Sequence, residues 1–287
     1  MAGEKRIRSA PRDFTEEMLP VDRKGLFFDC IKQRFDLIVK CGLVLLITTL
    51  PLLFVRLWGN LAYIALLEES AEENVASDAG AIKLIASLLE IPCFTLIGAG
   101  FAAISRILRQ LVWGEPIFFF HHLKKGLKQN AKSFIPVFFL YGLLNAINTF
   151  GLRLLNDTLV SYLPIAITLL LFVPIGLFML SQTVFYTVTF GKSFQNGFAL
   201  YLKTAPYVWI FLLILVAFSF VEWIRLILLQ IAVQIILIVI LLPVFALAWL
   251  LFSCQTFDKY INPENYPDIV EKGLYHPNAD NTDNTTK

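Results

Sequence analysis

Nucleophilic and metal-binding side chains are sparse in this 287-residue sequence, and few of them stand at reactive spacings. Gly191-Lys192-Ser193 matches the end of a phosphate-binding loop. Such a loop needs a glycine five residues before Gly191, so that backbone N–H groups can approach a phosphate, and position 186 is Tyr186. Nucleotide binding is therefore not expected. His121 and His122 are adjacent, and neighbouring residues on a helix point ~100° apart, which makes a poor chelate. The third histidine, His276, is distant in sequence. No HExxH zinc motif and no GxSxG nucleophile elbow occurs. With no clustered acid, base and nucleophile, the chain reads as a non-enzyme with no cofactor and no metal site.

The polar residues that fall inside apolar runs say more. Glu90 is the one carboxylate clearly within such a run, and Lys83 lies seven residues earlier on the same helical face. Asn145 and Asn148 are three apart and share a face; Gln182 follows in the next run, beside Thr183; Gln230 and Gln234 share a face in the last. Polar groups in a membrane contact other helices or line a wet cavity, and both roles stay open for the amides. For Glu90 the candidates are an ion pair near the outer interface, with Lys83, Arg56 or Arg153, or a proton or substrate role.

The elements that must carry these residues are membrane helices. The chain is 57% hydrophobic and 16% charged, with a mean hydropathy of +0.69. Soluble domains carry about 45–50% apolar and about 25% charged residues. Several apolar runs here reach the ~20 residues that cross a bilayer. The expectation is an all-α polytopic protein with six spans, near 37–57, 82–104, 134–152, 163–190, 206–221 and 226–255. Residues 1–25 and 258–287 read as polar tails flanking a membrane domain over 26–257, with disorder expected from Asn278 to Lys287. The net charge of +2 gives no argument for nucleic acid.

Charge placement gives the orientation. Of the 24 Lys and Arg, all but Lys40, Arg56, Lys83, Arg153 and Arg225 lie in the tails, in the amphipathic segment before the first span, or in the connections around 106–132 and 192–203. The acidic stretch Glu68 to Asp78 falls on the opposite side. The positive-inside rule then puts both termini in the cytoplasm of a multi-pass protein. The first 25 residues are basic and lack a short apolar core before a small-residue site, so no cleavable signal peptide is expected. Cys30, Cys41, Cys93 and Cys254 form no CxxC pair, and no disulfide framework is expected. Asn156-Asp157-Thr158 is a formal glycosylation sequon in the outer turn, relevant only in a secretory-pathway host.

The basic connection before the third span is amphipathic. Phe120, Leu123, Leu127, Ala131 and Phe134 recur at three and four, opposite Lys124, Lys125, Lys128 and Lys132. This predicts an interfacial helix that meets anionic lipid headgroups or docks a partner. Similar segments precede the first and fifth spans. Leu123, Gly126, Leu127, Lys132 and Ser133 match Phe194, Gly197, Phe198, Lys203 and Thr204 at an offset of about 71 in an internal repeat. The even spans each carry a proline in their outer part: Pro92, Pro174 and Pro243. The predicted unit is an interfacial helix plus a kinked membrane hairpin, used three times.

Three stretches resemble the YesL-like family of bacterial integral membrane proteins. The first is Arg34-Phe35-Asp36-Leu37 leading to Thr49-Leu50-Pro51; the second is Ile91-Pro92-Cys93-Phe94-Thr95-Leu96-Ile97-Gly98-Ala99 with Arg106 and Val112-Trp113-Gly114-Glu115; the third is Phe118-Phe119-Phe120 through Gly126-Leu127-Lys128-Gln129-Asn130. Members are often encoded beside carbohydrate ABC importers and glycan-degrading enzymes. The resemblance thus implies an accessory role in carbohydrate uptake at the bacterial cytoplasmic membrane, with permease subunits as partners. It supplies no catalytic residues. The acidic insertion between Trp58 and Ala81 is longer than in compact members. The competing expectation is an autonomous small-solute transporter or channel using Glu90 and Asn145.

Overall fold

The computed structural model describes residues 20–69, 75–154, 159–224 and 226–275, without the side chains of residues 67–69, 75–78, 153–154 and 222–223. The acidic Glu68 to Asp78 side chains, Arg153, the Asn156 sequon, Arg225, His276 and the stretch from Asn278 to Lys287 lie outside the described residues.

All regular structure among the described residues is helical. Three long helices come first: α1 (Arg23–Glu69), α2 (Val75–Trp113) and α3 (Phe119–Leu154). The fourth span is assembled from α4 (Leu163–Ile167), a π-helical turn (Thr168–Phe172) and α5 (Val173–Phe185). The fifth lies in α6 (Phe190–Ser219). The sixth combines α7 (Ile227–Ile236), a second π-helical turn (Leu237–Leu241) and α8 (Leu242–Tyr260), before the short α9 (Asn262–Asn265). Among the described residues, six helical stretches are long and apolar enough to cross a membrane. The chain is a multi-pass helical membrane protein.

The expected interfacial helix before the first span is a helix of its own: the 47 residues of α1 are two helices joined across a kink at Arg34 (φ −127°, ψ 25°), where the Phe27, Ile31, Phe35 spacing gives way to the apolar run from Leu37. Those before the third and fifth spans are not separate elements. In α3 and α6 the basic segment runs unbroken into the span. Packing explains why the basic part of α3 stays alongside α2. A Cβ at Gly126 would overlap the Ala103 carbonyl oxygen, so only glycine lets α3 approach α2 this closely. Asn130 Nδ2 then donates to Ser105 Oγ at 2.8 Å and to the Ala102 carbonyl at 3.3 Å. Arg106 also donates to Gln129. The α2–α3 hairpin is thereby zipped beyond the apolar core.

The start of α3 is set by His122. Its Nδ1 accepts the Phe118 N–H at 3.0 Å, which leaves the ring proton on Nε2. Nε2 lies 3.1 Å from the Gln110 side-chain amide. The amide orientation that satisfies this N–H presents Gln110 Oε1, an atom otherwise without a partner. Gly114, at φ +65°, supplies the left-handed turn between α2 and α3.

Prolines shape the even spans in two ways. Pro92 sits inside an uninterrupted α2. Pro174 and Pro243 each follow a π-helical turn that begins six residues earlier, at Thr168 and Leu237. A proline removes one N–H and crowds the carbonyl four residues back, and a widened turn absorbs both effects. Spans four and six therefore share a π-helical turn that span two lacks. The carbonyl four residues before Pro243 belongs to Val239, and it abuts α1 where Gly42 offers no side chain.

Both described ends of the chain meet at one end of the bundle. The Tyr275 N–H donates to the Pro20 carbonyl at 3.0 Å. The largest buried cluster lies towards this end and includes Ile38, Leu45, Ile107, Phe178, Leu247 and Phe257.

Candidate functional site

Glu90 and Asn145 come together at the far end of the bundle. Asn145 Nδ2 donates to Glu90 Oε2 at 2.8 Å, and Arg56 Nε donates to Oε1 at 3.1 Å. Of the three expected cationic partners the pair uses Arg56. Lys83 instead lies over the Tyr63 ring, 5.1 Å from its centroid. The Glu90 side chain is 12% exposed and that of Arg56 35%. Glu90 stands sixteen residues from Arg106, ~24 Å along α2, so the pair sits close to the membrane boundary opposite the basic end.

The other amides are dispersed. Asn148 Nδ2 donates to Thr168 Oγ1 at 3.3 Å, and Thr168 in turn donates to the Pro164 carbonyl. This ties α3 to the π-helical turn. Gln182 is fully buried at the basic end, donating to the Ser193 carbonyl at 3.1 Å and the Phe178 carbonyl at 3.3 Å. It fastens α5 to the start of α6. Ser193, part of the Gly191-Lys192-Ser193 tripeptide, spends its hydroxyl on the Met179 carbonyl. Gln234 is half-buried on α7 and makes no side-chain hydrogen bond among the described residues. Of the five candidate polar residues, only Glu90 and Asn145 form one site.

Lys124, Lys125, Lys128 and Lys132 are all exposed on α3 and form no ion pair among the described residues. Phe118 and Phe120, 70% and 82% exposed, stand beside them. The result is a face both cationic and apolar, held in place by His122 and Asn130.

A cavity of about 380 Å³ runs between α2, α3, α5, α6 and α8. Its wall on α2 extends from Phe94 to Leu108, ~21 Å of helix. The lining is almost wholly apolar. Among its few polar groups, Ser105 is spent on the Ala102 carbonyl, and Ser181 donates to the Leu177 carbonyl while accepting from Trp249 Nε1 at 2.9 Å. Neither Glu90 nor Asn145 lines it. Each lies one turn beyond Phe94 and Tyr141, whose edge-to-face rings, 5.1 Å apart, close that end.

The sequence reading missed a polar cluster at the basic end. Arg23, 7% exposed, donates to Asp258 Oδ2 at 2.8 Å and to the Lys272 carbonyl at 2.9 Å. Asn262 Nδ2 donates to Asp258 Oδ1, and the Tyr186 hydroxyl donates to Asn262. Burial, together with nearby Cys254 and Asp258, pushes the Tyr186 phenol up and keeps it a donor. Lys272 Nζ pairs with Glu115 at 2.9 Å and lies over Trp113, whose ring also takes Arg109. The segment after Phe257, expected as a polar tail, is thus tied down as far as Tyr275. The four-residue spacing of Asp258 and Asn262 was the one available signal. No metal-binding group of three or more His, Cys, Asp or Glu occurs among the described residues.

No protein-family model, curated protein or solved structure matches this chain.

Proposed function

We propose that this chain is a non-enzymatic membrane protein that works by association, its basic end docking a partner at the cytoplasmic face. The observation that carries the reading is the α3 face of Lys124, Lys125, Lys128 and Lys132 with Phe118 and Phe120, which is cationic, apolar and rigidly held. Four lysines without acidic partners among the described residues attract an acidic surface, and adjacent exposed aromatics add contact area on arrival. The orientation, with both termini cytoplasmic, follows from the distribution of Lys and Arg. The partner named by the YesL-like resemblance is the permease of a carbohydrate ABC importer in the bacterial cytoplasmic membrane. That part of the proposal rests on the resemblance alone.

Co-purification from native membranes tests it. Permease subunits are expected with the wild-type chain and are lost when Lys124, Lys125 and Lys128 are changed together to Glu. A chain that purifies without partners, with carbohydrate uptake unchanged on deletion, overturns the proposal. Cysteine labelling tests the orientation: a probe at Lys128 reacts from the cytoplasm and one within 70–74 from outside.

The alternative is an autonomous transporter or channel, and the cavity is what favours it. Its apolar wall suits an apolar solute better than a sugar. This reading requires the purified chain alone to move solute in liposomes, with flux reduced on replacing Glu90 or Asn145.

A further inference from the structure

The cavity has a neighbour. A smaller recess of about 110 Å³ shares Val137 and Leu180 with it, so these two side chains form the wall between the two spaces. The recess opens between α3 and the α5–α6 corner and is lined by Lys132, Ser133, Thr183 and Ser193 alongside apolar residues. Lys132 is exposed and has no acidic partner among the described residues. The Ser133 hydroxyl forms no hydrogen bond to a described residue. Lys128 stands one turn nearer the basic end of α3 and is equally exposed. A cationic, hydroxyl-bearing recess thus stands one layer of side chains, Val137 and Leu180, from an apolar interior.

Three features select the occupant. The recess lies where the cationic residues gather, at headgroup level, and a lysine with a neighbouring hydroxyl suits a phosphate. The interior runs ~21 Å along α2, more than half the ~30 Å hydrocarbon core, which is the reach of a chain belonging to one leaflet. The Ser105 and Ser181 hydroxyls in the wall are satisfied internally, so a polar solute would find few partners there. A space this large and this apolar stays dry: an apolar cavity of ~150 Å³ already excludes water and takes up benzene.

We propose that the chain binds one anionic glycerophospholipid, its phosphate at Lys132 and Ser133 and one acyl chain threaded past Val137 and Leu180 into the cavity. This is a lipid held between helices, distinct from the shell around the protein. It does not depend on the partner assigned above, because the membrane itself supplies the ligand.

Trp249 lines the cavity and reports on its contents. The full chain is placed in vesicles of phosphatidylcholine doped with phosphatidylglycerol or phosphatidylcholine brominated on one acyl chain, and tryptophan quenching is compared at equal mole fraction. Brominated phosphatidylglycerol is expected to quench more than brominated phosphatidylcholine. The excess disappears in Trp249→Phe, which places the bromine in the cavity. It disappears in Ala246→Phe, which fills the interior. Lys132→Gln lowers the apparent preference for the anionic lipid about fivefold, the effect of one lysine at a membrane surface. Lys132 is exposed, so this variant is expected to fold, and its unchanged quenching by brominated phosphatidylcholine verifies that. Equal quenching by the two lipids overturns the proposal. So does an excess that survives Ala246→Phe or Trp249→Phe, which would place the anionic lipid on the outer surface.

Discussion

Asn145 and Arg56 divide the Glu90 carboxylate between them, one donor to each oxygen, at 2.8 Å and 3.1 Å. The arrangement joins α1, α2 and α3 at the end of the bundle away from the lysines. Its burial is uneven, because Arg56 retains 35% exposure and Glu90 only 12%. Arg56 left without Glu90 can turn towards water or headgroups, whereas Glu90 left without Arg56 stays enclosed. Arg56→Ala is therefore expected to cost more than Glu90→Ala, ~3 kcal/mol against 1–2. Asn145→Ala removes one interhelical hydrogen bond in a membrane, worth ~1 kcal/mol. Thermal unfolding in detergent of these variants and the Glu90–Asn145 double variant measures the order and the coupling. An Arg56→Ala protein as stable as the wild type would show that the pair does not hold the helices.

Gly42 faces the Val239 carbonyl, the acceptor displaced by Pro243 in the second π-helical turn. A Cβ at position 42 would overlap that oxygen and the backbone around it. Backbone cannot swing aside as a side chain can, so Gly42→Ala must part α1 from the sixth span. The expected loss is at least the ~3 kcal/mol of a severe overpacking change. Gly151, near the end of α3, has nothing within 4 Å of its would-be Cβ. Gly151→Ala should be neutral, or stabilising by up to ~1 kcal/mol from the helix preference of alanine. Equal melting temperatures for the two variants would contradict the close approach at Gly42.

Gln182, for which helix contact and cavity lining were both open, joins α5 to α6. Its amide N–H groups satisfy the Phe178 and Ser193 carbonyls in a fully buried position. Gln182→Ala removes both bonds and leaves a void, for an expected cost of ~2–4 kcal/mol. Gln182→Leu fills the space and removes the unpartnered Oε1, while the Ser193 carbonyl still accepts within α6, so it should recover most of that. Melting curves of the two variants give the comparison, and a leucine variant as stable as the wild type would mean that the Ser193 bond contributes nothing.

The number of spans is legible in the sequence because hydropathy depends only on local composition. So is the pairing of Glu90 with a nearby cation, although choosing Arg56 over Lys83 takes the packing of α1 on α2. The packing of the basic segment of α3 along α2 was hidden. Its periodicity fits a helix lying flat equally well, and the deciding contacts are Gly126 against Ala103 and Asn130 against Ser105. The π-helical turns were hidden for a related reason. Pro92, Pro174 and Pro243 look alike in sequence, yet only the last two are preceded by a widened turn. The cavity is a void left by five helices and has no sequence signature.

Arg23 and Asp258 join the two ends of the described chain, and this ion pair is more deeply buried than any other among the described residues. Arg23 also holds the Lys272 carbonyl, while Asp258 takes a second donor from Asn262. Removing Arg23 leaves Asp258 enclosed with one donor, and replacing Asp258 by Ala leaves a guanidinium that is 7% exposed without its counter-charge. Each change is expected to cost ~3 kcal/mol, with the loss concentrated in the segment after Tyr260 rather than in the spans. Hydrogen exchange separates local from global effects. In Arg23→Ala or Asp258→Ala, amides over 262–275 should exchange faster while those of α2 and α8 keep their protection. Lys272→Ala, which removes the contacts to Glu115 and Trp113, should loosen the same segment more mildly, because those groups are about a third exposed. Uniform exchange across all six spans would mean that the tail is an integral part of the bundle's stability and not a separable latch.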